Sequence, residues 1–157
     1  MAATYEPIAS TVLSTSAASY EFTSIPGTFT DLILVATPII NVNQEPAVRF
    51  NSDSGSNYSR TLLQGNGTAA SSGRNANLTW ALPVGNGTDF ILHIQSYSNT
   101  NVYKTCLSSS WISVGSVTRG VQLWRSTSAI TSIWIGGDRA GSWAAGSTFS
   151  LYGIKAA

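Results

Sequence analysis

The chain has 157 residues, enough for one domain with a real core. Lysine plus arginine total 8 against 7 aspartates and glutamates, a balance that argues against a dedicated nucleic-acid binder, which carries a basic excess or stripe. Charged residues make up 10% of the chain against about 25% in an ordinary globular protein, so serine, threonine and asparagine must supply the polar surface. Such a weakly self-repelling surface suits a molecule packed against others.

Residues 1–14 lack a basic start followed by a long apolar run, so they do not read as a signal peptide and a soluble, unsecreted protein is expected. Tyr20 and Phe22 alternate, with Ile25 joining after one slip, and mark the first expected strand. DLILVAT at 31–37 is a short continuous apolar run, the pattern of a strand buried on both faces. It stops at Thr37 and Pro38, far short of a membrane span, so no membrane partner is expected. AVRFN and YSRTLL follow, and ANLTWAL then alternates Ala76, Leu78, Trp80 and Leu82. In TDFILHIQSY, Phe90, Leu92 and Ile94 fall on one face and Ile91, His93 and Gln95 on the other. NVYKTCLS, GVQLW, ITSIWIG and STFSLYGIK complete the series. Roughly ten short strands with turn residues every 8–12 positions predict an all-β, antiparallel, jelly-roll-like sandwich in a single domain, residues 1–157.

The glycine-rich stretch 53–74 tests for a nucleotide or metal site. A phosphate loop of the Walker type needs Gly-Lys-Ser/Thr opening a helix, yet the lysines are Lys104 and Lys155 and no helix follows. Asn51, Asp53 and Gly55 are spaced like alternating oxygen ligands for calcium. Counting from Asn51, however, Ser56 falls where a helical calcium loop needs glycine, and Leu62 where it needs a carboxylate. The stretch therefore reads as turns: Asp and Asn side chains bond local backbone, Gly55 supplies a left-handed residue, and GNGTAASSGR is a longer loop of the same kind.

One histidine and one cysteine cannot build a usual zinc cluster within one chain, and Cys106 allows no intramolecular disulfide. His93 reads as a packed or hydrogen-bonded strand residue, and Cys106 as a small core residue. No Gly-x-Ser-x-Gly elbow occurs, and the acids are scattered singly, mostly beside turns. The expectation is a non-enzyme with no catalytic residues, metal site or cofactor. Four sequons, at Asn57, Asn66, Asn77 and Asn86, follow from composition.

Of the five tryptophans, Trp80, Trp124 and Trp134 lie in strand patterns and read as core or sheet-face residues. Trp143 lies in GGDRAGSWAAGS beside Asp138 and Arg139. That trio is a candidate glycan or partner contact, weighed against simple packing of a loop aromatic over the sandwich edge. Lysine is the usual guard of exposed sheet edges, and two lysines leave the first and last segments open to pairing. Tyr5, Pro7 and Tyr152 there offer the contact area that interfaces favour and are candidate oligomer or shell contacts.

YEPIAST, FTDLILV, RFNSDSGSNYSRTLLQGNGTAASSGR, LWRSTSAITSI and the ending AAGSTFSLYGIKAA resemble small β-sandwich virion proteins of tailed bacteriophages, over nearly the whole chain. PIINVNQEPA and the GGDRAGSW loop match least. The resemblance implies a structural or attachment role in a virion assembled in the host cytoplasm, with no catalytic residues to carry over. It implies as partners sister subunits, the major capsid protein or other virion proteins. A capsid decoration (cement) protein is favoured, because the chain shows no coiled coil, β-helix repeat or shaft. Cement proteins often occupy threefold positions, and a homotrimer is expected on that ground. The alternative is a receptor-recognition module of a tail fibre that binds a cell-surface glycan.

Overall fold

The computed structural model describes residues 4–40, 45–78, 82–83, 89–112, 115–137 and 141–155. Among these there is no helix, and twelve strands form two antiparallel sheets. The strands are β1 (Tyr5–Val12), β2 (Ser19–Phe22), β3 (Asp31–Thr37), β4 (Pro46–Phe50), β5 (Tyr58–Gly65), β6 (Ala70–Leu78), β7 (Leu82–Pro83), β8 (Asp89–Ile94), β9 (Lys104–Ile112), β10 (Ser116–Trp124), β11 (Ile133–Gly137) and β12 (Thr148–Ile154). The larger sheet runs β1-β12-β3-β8-β9-β10-β5-β6 and the smaller β2-β11-β4-β7.

This order is a jelly roll with two additions. The pairs β1·β12, β2·β11, β3·β8 and β4·β7 are the four rungs of a folded-over ribbon, and β12·β3 and β11·β4 close them into two four-stranded layers. Two hairpins are interposed, β5–β6 between β4 and β7, and β9–β10 between β8 and β11. Both join the larger sheet beyond β8 and double its width.

The period-two patterns explain the layers. In β3, β8 and β12 every second residue is buried: Leu32, Leu34 and Ala36, then Phe90, Leu92 and Ile94, then Phe149 and Leu151. They meet Phe22, Val48, Phe50, Ile133 and Ile135 of the smaller sheet in one core. Aromatic pairs pack within it, Phe50 tilted 5.5 Å from Trp124 and Trp143 edge-on 6.3 Å from Phe149. The alternate residues Ile33 and Val35 of β3 are half-buried, so the run read as buried on both faces is fully buried on one only.

Three expectations change. Residues 5–12, expected only as an edge-pairing segment, are a full strand on β12. GNGTAASSGR is not one loop: Asn66 and Gly67 turn the chain, and Ala70 onward is the strand β6. Every β6 residue from Ala70 to Asn77 is exposed, so no apolar alternation betrayed it. Gly55 is not left-handed; Asn51 (φ 50°) and Ser52 (φ 57°) are, in a turn where Phe50 O accepts from Asp53 N at 2.9 Å. Gly55 leaves room for neighbouring side chains instead: a Cβ there would sit 3.0 Å from Asn57 Nδ2 and 3.1 Å from Asp53 Oδ1, and both would have to give way slightly.

Candidate interaction surface

The 51–57 turn is a structural device. The Asp53 carboxylate accepts from Gly55 N at 2.9 Å, from Asn57 Nδ2 at 2.9 Å and from the Trp124 indole at 2.6 Å. Burial alone would raise its pKa, but these donors outweigh burial and hold it below the ordinary 3.8. Tyr58 Oη donates to Asp53 O at 2.9 Å and burial pushes its phenol up. Asn51 Oδ1 accepts from Thr131 N at 2.8 Å and Ser132 N at 3.1 Å, while its Nδ2 donates to Ala129 O at 2.7 Å. These side-chain oxygens are occupied by protein donors.

Lys104 is buried with its ammonium among three carbonyls, Asn99 O at 2.6 Å, Val102 O at 2.8 Å and Thr127 O at 3.1 Å. Burial pushes its pKa down, while the carbonyl dipoles hold the charge in place. Cys106 is fully buried and its thiol is pushed up, which removes thiolate character. His93 Nε2 lies 2.9 Å from Asp31 Oδ2, and Asp31 Oδ1 accepts from Ser96 N at 2.7 Å, a bridge that ties β8 to β3. Among the described residues no three His, Cys, Asp or Glu side chains gather where a metal could sit. No helix among them is long and apolar enough to cross a membrane.

Trp143 is fully buried. Its backbone pairs with Ala17 in both directions, at 2.8 and 3.0 Å, and its ring packs on Phe149, so it has no face for a sugar. The glycan-contact reading of Trp143 gives way to the packing one, because the loop carries the ring inward as part of the core. Asp138 and Arg139 lie outside the described residues, as does Trp80. Trp124 is core, and Trp134 is half-buried beneath the Arg49 guanidinium, 4.5 Å from the ring centre.

Tyr5, Pro7 and Tyr152 are brought together. Pro7 pairs with Tyr152 and Tyr5 with Ile154, all on the outward side of the larger sheet, with Tyr5 59% exposed, Pro7 exposed and Tyr152 half-buried. At the far end of the same face lies a second apolar region. Its outward rows follow the register: Trp111 and Val117 beside Asp89; Ile91, Ser109, Arg119 and Leu63; then His93, Leu107, Val121 and Thr61. Leu63, Val117 and Val121 are 63%, 57% and 55% exposed, and Trp111, Leu107 and Ile91 about 40%. Arg119 stands in the middle, its guanidinium donating to Ser109 Oγ. A depression of about 370 Å³ opens between Leu63, Leu107, Arg119 and Val121.

Neither Trp111 nor Leu107 was singled out from sequence. The signal was present, since placing Cys106 inward sends Leu107, Ser109 and Trp111 outward. Comparison of the chain with known protein families and with characterised proteins finds no match to either.

Proposed function

We propose that the protein is a non-enzymatic structural component of a phage virion, a homotrimeric capsid decoration protein that docks on the head shell. The observation that carries this reading is the outward face of the eight-stranded sheet. It presents Tyr5, Pro7 and Tyr152 at one end and Leu63, Leu107, Trp111, Val117 and Val121 at the other, in a chain with 10% charged residues. Two such patches on one sheet face are what a protein packed against sister subunits and a shell presents. The sequence resemblance supplies the virion, and threefold shell positions supply the trimer.

The test is cosedimentation of purified protein with expanded heads from a phage whose copy of the gene is deleted. Saturable binding, together with a higher melting temperature of the heads, is the expected result. Heads that neither bind the protein nor gain stability would overturn the reading. Saturable binding on a glycan array would then favour the tail-fibre alternative, with Trp111 in place of Trp143 as the exposed ring to substitute.

A further inference from the structure

We propose that the far end of this face, over β8, β9, β10 and β5, is a two-fold pairing surface whose occupant is a second copy of the same chain. The inference does not need the virion reading, but it assigns to a sister copy the far-end patch which that reading cites, so a threefold ring would then hold six chains.

Two observations bear on the occupant, and the second selects it. The first is extent. Four strands spaced about 4.8 Å apart and three outward rows about 6.7 Å apart make a face of roughly 19 by 20 Å. That lies within the range of the largest patch on an ordinary monomer and is about half of one partner's share of a standard interface; the half-buried Val35 and Ile33 beside it extend the area.

The second observation is charge. Over these four strands the outward charges are one cation, Arg119, and one anion, Asp89, beside the single histidine His93 that Asp31 already engages; Arg74 of β6 flanks Thr61 at the region's edge. Among the described residues neither Arg119 nor Asp89 makes an ion pair. They stand two strands and one row apart, about 12 Å by strand geometry, with Ser109 and Trp111 of β9 between them. An isologous contact pairs residue i with j and j with i. A two-fold axis lying in the face between Ser109 and Trp111 therefore sets Arg119 of each copy over Asp89 of the other. The same axis brings the two Trp111 rings together at the centre and lays Leu107 over the second copy's Val35. One cation and one anion on a single apolar face are self-complementary, whereas a partner of uniform charge would leave one of them opposed.

Sedimentation equilibrium and light scattering across a concentration series test this. Wild type should associate in even numbers, as a pair, or as six copies where a ring through Tyr5 and Pro7 also forms. Arg119→Asp and Asp89→Arg should each weaken pairing at least tenfold, about the scale of placing like charges face to face. The double variant should restore pairing to near wild type. Leu107→Asp with Val121→Asp should abolish it, and unchanged circular dichroism would confirm that the variants fold. A wild type that stays monomeric to about millimolar concentration, charge variants that pair like wild type, or a double variant that fails to rescue would each overturn the proposal. Heads that fail to bind a protein which still pairs would sink the virion reading alone.

Discussion

Replacing Lys104 by methionine keeps an unbranched side chain of similar length and deletes only the ammonium. In the wild type that ammonium satisfies Asn99 O, Val102 O and Thr127 O at 2.6 to 3.1 Å, and so fastens the loop before β9 to the segment after β10. Removing one partner from a buried charged network costs about 3–5 kcal/mol. Here Asn99, Val102 and Thr127 are exposed, so water can reach their carbonyls once the segments part, and the expected loss is about 2–4 kcal/mol. For a domain of this size that is a fall of roughly 5–12 °C in melting temperature. Thermal unfolding followed by calorimetry at neutral pH, with near-ultraviolet circular dichroism for packing, measures it. A variant that melts within about 1 °C of wild type, or above it, would show that the cost of burying the charge outweighs its three hydrogen bonds, and would refute the reasoning.

Trp143→Ala should destabilise by about 3–5 kcal/mol, because it empties a fully buried site; a melt unchanged from wild type would refute the core placement. Asp53→Asn should cost about 1–3 kcal/mol at pH 7 by weakening the bonds from Trp124, Gly55 and Asn57. A carboxylate held below 3.8 adds stability above that pH and loses it as pH falls through the folded value. The gap between wild type and Asp53→Asn should therefore narrow below about pH 4 in acid titrations of the melting temperature, and a constant gap would count against the assignment. Gly120→Val should destabilise strongly, since even a Cβ would meet Ser108 Oγ at 2.6 Å and Leu62 Cδ2 at 2.8 Å. Chelation with EDTA should leave the melting temperature where it was; a large drop would reveal a cation that the 51–57 turn holds.

The sandwich was legible wherever a strand has one wet and one dry face. β8 and β12 announce themselves by alternation because the core takes every second side chain. β6 hides because it is exposed on both sides and its residues answer to backbone pairing alone. The interaction face was half legible. Tyr5, Pro7 and Tyr152 stood out at the ends of the chain, and the register makes Pro7 and Tyr152 direct neighbours. The Leu107 and Trp111 region did not stand out, since an outward apolar residue looks like an inward one until its strand's orientation is fixed. Trp143 shows the opposite failure: a glycine- and serine-rich neighbourhood suggests an exposed loop, yet two backbone bonds to Ala17 and a fit beside Phe149 draw its ring into the core. Lys104 gave no warning, for its partners are carbonyls, which any residue can supply.

The pairing of β1 with β12 also bears on how the molecule is made. Among the described residues, strand β1 finds its ladder partners in residues 148–154, and β12 in turn separates β1 from β3. During synthesis the first strand must wait, unpaired, until residues 148–154 have left the ribosome, at about 5–20 residues per second. Closure is then a long-range event, slow by comparison with local hairpins such as β9–β10. For those roughly 7–27 seconds Tyr5, Pro7 and Val12 lie in an unpaired segment that a neighbouring nascent copy can reach, so strand exchange between sister chains competes with folding most strongly where many copies are translated side by side.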